Sequence, residues 1–129
     1  MTKEEEIVIN TKIAKLFGLH DFWIDSVSEH GRLRHMALHG MTNYTMEVKD
    51  YCGSSDGFNE IIGKLYANEV YVEMRYGYDV PGAYSRIVIL DCTKSYVGRS
   101  ECSLRESLAI AVVKMIDDES NKEYLESWK

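Results

Sequence analysis

The residue types that carry most enzyme chemistry are present in this chain, but their spacing does not assemble them. His35 and His39 lie four apart. On a strand they share one face, yet over ~10 Å separates them at roughly 3.3 Å per residue, too far for one metal ion. On a helix the pair would be close enough, but no zincin-type glutamate lies in register with them. The run Cys52-Gly53-Ser54 precedes a helix start, where a dipole can lower a thiol pKa, but no partnered histidine is visible beside it. The four histidines begin His20-Asp21-Phe22, His30-Gly31-Arg32, His35-Met36-Ala37 and His39-Gly40-Met41. None of these is the His-x-Thr or His-x-Ser pair of two-histidine phosphodiester cleavage. A glycine-x-serine-x-glycine elbow and the phosphate-loop and dinucleotide fingerprints are absent. Asp117-Asp118 falls at a helix end in a charged tail, where a solvated face accounts for it better than acid–base work. These residues imply no enzyme, no metal and no cofactor.

One constellation rises above background, and its chemistry is anion binding. The segment from Lys94 through Arg99 to Arg105 brings three cations toward the start of the last helix. Unpaired backbone N–H groups at a helix N-terminus attract phosphate or carboxylate, and arginine adds bidentate donors. Arg75 and Arg86 lie on a hairpin, with Tyr51, Phe58, Tyr76, Tyr78 and Tyr84 on neighbouring elements. Arginine charge with aromatic faces is what a nucleotide requires, charge for the phosphates and stacking for the base. The alternative is that the tyrosines pack and the arginines pair with surplus carboxylates.

The elements that must position these residues follow from periodicity. Ile9, Ile13, Leu16 and Phe17 place a helix over 3–17, with Glu4, Glu5 and Glu6 at its positive end and Gly18 as C-cap. Two strands follow at about 21–27 and 33–39, with Gly31 in the loop between them. Residues 40–53 read as irregular. Phe58, Ile61, Ile62 and Leu65 mark a core-facing helix over 55–66, opened by Ser54-Ser55-Asp56. Val70, Val72, Met74 and Tyr76 alternate with Tyr71, Glu73 and Arg75, and a return strand spans 84–92 with the apolar run Ile87-Val88-Ile89-Leu90. Residues 93–102 read as a second polar loop. Ser103 and Glu106 then fit a capping box before Leu104, Leu108, Ala111, Val112 and Met115. The tail 117–129 is charged, with Tyr124, Leu125 and Trp128 available for docking. The expected fold is α+β: about four mainly antiparallel strands in the order α-ββ-α-ββ-α, layered with three helices.

Bulk properties set the limits. The sequence has 129 residues, 45% hydrophobic and 28% charged, with one proline, as expected of a single domain with a packed core. A formal charge of −6 opposes a role in gripping DNA or RNA polymers, while leaving room for a local cationic pocket. Cys52, Cys92 and Cys102 form no metal spacing and read as free thiols in a reducing cytoplasm. The acidic start and the lack of a long apolar run predict no secretion signal and no membrane association.

Three stretches carry a family resemblance. The first is the opening Ile9-Asn10-Thr11-Lys12-Ile13-Ala14-Lys15-Leu16-Phe17-Gly18. The second runs from Asn43-Tyr44 through Asp50-Tyr51-Cys52 into Phe58-Asn59-Glu60. The third is the helix start from Ser103 to Ala109, with Arg105 inside it. Together they resemble the small phage proteins with an α-β-α (ABA) sandwich domain, and more narrowly the first Thoeris anti-defence family. The chain departs from that pattern in Gly53-Ser54-Ser55, inserted before the central helix, and in a longer first hairpin. The resemblance implies a homo-oligomer in the infected bacterial cytoplasm. It would sequester a cyclic ADP-ribose-type signal, or a cyclic oligonucleotide, without cleaving it. It further implies a site shared between protomers, with Arg105 on phosphate and an aromatic on the base. Two other classes remain open: an acidic inhibitor that binds a host defence protein, and a phage assembly protein.

Overall fold

The computed structural model describes residues 1–27, 32–41, 44–77, 82–89 and 94–129. Its order is α1 (Lys3–Lys15), β1 (Leu19–Val27), β2 (Arg32–His39), β3 (Tyr44–Glu47), α2 (Ser55–Ala67), β4 (Val70–Tyr76), β5 (Ala83–Ile89), β6 (Lys94–Ser100) and α3 (Leu104–Asp117). A 3-10 turn at Glu119–Asn121 and the short α4 (Lys122–Glu126) complete it. The class is α+β. The strands form two three-stranded antiparallel meanders, β1-β2-β3 and β4-β5-β6. Contacts group the chain into two compact units, Met1–Lys49 and Asp50–Lys129.

In the first unit, Thr2 caps α1 by accepting from the Glu5 N–H at 3.1 Å, and Glu4, Glu5 and Glu6 lie in the first turn. The helix buries Asn10, Ile13 and Ala14 and ends at Lys15, two residues short of the expected boundary. Gly18 then adopts φ +83°, a conformation that favours glycine. β1 pairs with β2 through a bulge between His20 and Trp23, where Asp21 takes a positive φ of 54°. The Thr11 hydroxyl reaches the His35 ring at 3.1 Å, which joins α1 to β2. Phe22 packs against the same ring, with centroids 5.7 Å apart. The loop position Gly31 lies outside the described residues.

In the second unit, β5 is the central strand. Ala83, Ser85, Ile87 and Ile89 are buried on one face, while Tyr84, Arg86 and Val88 are half-buried on the other. Leu90, expected to extend this strand, lies outside the described residues. Helix α3 packs on β5 and β6 through Ser107, Leu108, Ala111, Val112 and Met115. A Cβ on Gly98 would lie 1.9 Å from the Ser107 carbonyl oxygen, so only glycine permits this approach. Inside the contact, the Ser85 and Ser107 hydroxyls are 2.7 Å apart and fully buried. Ser107 also donates to the Leu104 carbonyl at 2.8 Å, so Ser85 must donate to Ser107.

Among the described residues, the expected strand count is corrected from four in one sheet to six in two sheets, and the helix count from three to four. Residues 40–53 were expected to be irregular, but Tyr44–Glu47 pair with His39–Met36 as β3. Only one of its four side chains is even half-buried, so it shows no apolar alternation. Residues 93–102 were expected to be a loop, but Lys94–Ser100 pair with Ile89–Ala83 as β6. Its inward positions include Gly98 and Ser100, because a helix backbone passes over them and leaves no room for large side chains.

Behind α3, the C-terminal segment is tied down. Asn121 is buried, and its amide donates to the Tyr96 hydroxyl at 2.8 Å and the Met115 carbonyl at 3.0 Å. The Tyr96 hydroxyl in turn donates to Asp118. Further on, the Tyr124 hydroxyl donates to the Asn68 carbonyl at 3.4 Å, and the Tyr124 and Trp128 rings meet edge to face at 5.8 Å.

Candidate functional site

The second unit has a cleft of about 540 Å³ at the N-terminal ends of α2 and α3, lined by Ser55, Phe58, Asn59, Tyr76, Cys102, Ser103, Leu104 and Arg105. Local sequence explains why both helices start there. Ser54 caps α2 by accepting from the Gly57 N–H at 3.0 Å, and its own hydroxyl donates to the Asp50 carbonyl at 2.7 Å. Asp50 in turn accepts from the Cys52 and Gly53 N–H groups, both at 3.1 Å. Ser103 caps α3 by accepting from the Glu106 N–H at 3.1 Å. The Ser103 N–H donates to the Ser100 hydroxyl oxygen at 3.2 Å, which fixes the passage from β6 into the helix. The first-turn N–H groups of a helix have no intrahelical acceptor, and two such ends meet at this cleft.

Arg105 crosses the cleft. Its guanidinium donates to the Gly53 carbonyl at 3.2 Å and to the Ser55 hydroxyl at 2.7 Å. Those two bonds hold the group over the start of α2. Phe58 and Asn59 come from the next turn of that helix, and Tyr76 from the end of β4. Tyr76 shares the inner face of the sheet because it pairs with Ala83 of β5. Cys102 is an exposed free thiol on the rim. Among the described residues, those lining the cleft include no histidine, lysine, aspartate or glutamate.

The residues singled out in the sequence do not all converge. Arg105, Phe58, Asn59 and Tyr76 line the cleft. Arg75, Tyr84 and Arg99 form one cross-strand row on the sheet face turned away from α3. There the Arg99 guanidinium lies 5.6 Å from the Tyr84 ring centroid. Arg86 belongs to the next row, paired with Glu73 and Val97, and its Nε is buried with no hydrogen-bond partner. Lys94 begins β6, at the opposite end of that strand from Ser100, and its ammonium reaches Ser120 and Asn121. Tyr51 is only 2% exposed, and burial first, then the Glu60 carboxylate, raises its phenol pKa well above the ordinary value.

Thus the expectation that Lys94, Arg99 and Arg105 meet at one helix N-terminus is corrected. β6 is extended, so Lys94 and Arg99 stand about 17 Å apart and point to opposite faces. Ser55, Cys102, Ser103 and Leu104, which the sequence did not single out as ligand contacts, complete the cleft. Tyr78 and Cys92 lie outside the described residues.

Elsewhere, Cys52 is a buried free thiol. His35 has its pKa lowered by burial. His20 is raised, first by its bond to the Gly40 carbonyl and then by Asp21. No group of three or more His, Cys, Asp or Glu side chains among the described residues is placed to hold a metal ion. No helix among them is long and apolar enough to cross a membrane. Comparison with protein-family models, with curated proteins and with solved structures yields no match.

Proposed function

We propose that the chain captures a cyclic nucleotide in the cleft between α2 and α3 and holds it uncleaved. The observation that carries this reading is the convergence of one guanidinium, two aromatic rings, a carboxamide and two helix N-termini on about 540 Å³. Small-ligand sites span roughly 300–1,000 Å³, so the cleft suits a nucleotide of one or two phosphates. Arg105 and the first-turn N–H groups serve the phosphates. Phe58 and Tyr76 offer faces for a base, and Asn59 offers a donor and an acceptor for its edge.

The lining residues favour holding over cleaving. The Ser103 hydroxyl accepts from Glu106 and the Ser55 hydroxyl accepts from Arg105, and among the described lining residues no histidine or carboxylate stands beside either as a general base. Combined with the resemblance to the first Thoeris anti-defence family, this makes a cyclic ADP-ribose isomer the first ligand to try. The role is then that of a phage sponge in an infected bacterium. A cyclic oligonucleotide is the second ligand to try.

Native mass spectrometry with a panel of cyclic ADP-ribose isomers and cyclic oligonucleotides tests the reading. The expected result is a stoichiometric adduct whose ligand is released intact on denaturation. Release of a cleaved product would make the protein an enzyme. No adduct with any member of the panel would remove the nucleotide reading.

A further inference from the structure

The second sheet leaves one long edge unpaired. Among the described residues, no strand pairs with β4 on the side away from β5. Natural edge strands are usually kept short, bulged, or guarded with lysine and proline, because their open N–H and C=O groups otherwise recruit another strand. β4 is neither short nor bulged and holds no lysine or proline, and its two charges, Glu73 and Arg75, are opposite in sign and meet each other. It runs seven residues in continuous register with β5, as Val-Tyr-Val-Glu-Met-Arg-Tyr. Along it and the preceding helix end, large side chains stand in solvent: Tyr66 is 84% exposed, Tyr71 52%, Met74 38% and Tyr76 65%. Tyrosine and methionine are enriched where proteins meet one another. The opposite edge is less available, because the Val97 carbonyl of β6 already accepts from the Lys114 ammonium at 2.7 Å.

We propose that β4 is a homodimer interface, in which two copies of this chain pair antiparallel about Met74 and join their sheets edge to edge. Charge selects both the occupant and the register. Two strands related by a two-fold axis place one residue opposite its own copy, and the others pair symmetrically about it. Centring on Glu73 sets carboxylate against carboxylate, and centring on Arg75 sets guanidinium against guanidinium. Centring on Tyr71 sets Glu73 against Glu69, and centring on Val72 sets it against Tyr71. Centring on Met74 alone sets Glu73 of each copy against Arg75 of the partner subunit, twice over. Directly opposed opposite charges on one sheet face are attractive, and like charges are not. Glu73 and Arg75 already meet within one strand at 2.8 Å, on the face turned away from α3, so both are turned the right way for the exchange.

On the helix-facing side, the same register sets Tyr76 against Val72 of the partner subunit. Tyr76 lines the cleft, so the partner's edge borders the candidate site. The interface itself does not depend on any ligand.

The full chain is compared with Arg75→Glu and with the double exchange Glu73→Arg/Arg75→Glu by sedimentation velocity over a concentration series. Wild type is expected to dimerise. Arg75→Glu places four carboxylates together and is expected to raise the dimer Kd about tenfold or more. The double exchange restores both pairs in this register and is expected to return the Kd to near wild type. A monomeric wild type, or an oligomer insensitive to Arg75→Glu, overturns the proposal, and so does a double exchange no better than the single one. Met74→Cys is a second, independent probe. Opposed Cα atoms in an antiparallel pair lie about 4.5–5.5 Å apart, within disulfide reach. Mild oxidation should therefore link residue 74 to its own copy, read by peptide mapping, whereas Val72→Cys should not link to itself. Self-linkage at 72 in place of 74 also overturns the register.

Discussion

Arg105 has five N–H donors, and two of them hold the Gly53 carbonyl and the Ser55 hydroxyl. The rest can reach a ligand from an exposed position, so one side chain both braces the cleft and charges it. Arg105→Ala should lower stability by only about 1 kcal/mol, because exposed charge-assisted bonds are weak in water. It should weaken nucleotide binding about tenfold or more, measured by calorimetry beside a urea melt. Unfolding of the variant would mean the arginine is structural. The buried serine pair makes a sharper stability prediction. Ser107→Ala strands the Ser85 hydroxyl, whereas Ser85→Ala leaves Ser107 with its Leu104 acceptor. Ser107→Ala should therefore be the more costly, by about 1 kcal/mol in chemical denaturation. The two histidines of the first unit should separate in an NMR titration. His20 should titrate above 6.5, held up by the Gly40 carbonyl and Asp21, and His35 below it, held down by burial.

At the scale of elements, α3 depends on a glycine and on its C-terminal tie. Gly98→Ala forces a Cβ to within 1.9 Å of the Ser107 carbonyl oxygen, so strand and helix must separate. The cost should be about 3 kcal/mol, readable as a lowered urea midpoint. At the other end, hydrogen bonds from Tyr96, then Ser120, hold the Asp118 carboxyl at a pKa of about 2, below its ordinary 3.8. A carboxyl depressed in the folded state favours folding above its unfolded pKa, and that contribution is lost as pH falls through the folded one. Stability should therefore decline between about pH 4 and pH 2, and Asp118→Asn should flatten that part of the profile in thermal melts. The strands β3 and β6 show how an element escapes pattern reading. β3 buries almost nothing, and β6 is covered by a helix backbone that demands small residues. In both, the ladder of hydrogen bonds to a neighbouring strand defines the element without help from side-chain periodicity.

For the molecule as a whole, each unit pairs a three-stranded meander with its own helices. The cleft belongs entirely to the second unit, Asp50–Lys129, which also holds α2, α3 and the docked C-terminal segment. A chain of residues 50–129 should therefore give a dispersed NMR spectrum and retain the ligand preference of the full protein. A collapsed spectrum would show that the first unit is needed for the second to fold. The net charge of −6 is compatible with anion capture because the described lining residues carry one guanidinium and no carboxylate.

What the sequence determined by itself is whatever follows from local rules. The α+β class, the antiparallel hairpins, the serine caps at 54 and 103 and the apolar stripes of α2 and α3 all rest on interactions between residues close in the chain. The tertiary structure decided which of the plausible side chains share a space. It sent Tyr51 into the core, Lys94 to the far end of β6, and Arg75, Tyr84, Arg86 and Arg99 to the other face of the sheet. It left Arg105, Phe58, Asn59 and Tyr76 together and added Cys102. Strand alternation and sheet register fix which face a residue occupies, and register depends on pairing between segments distant in sequence, which local pattern does not encode.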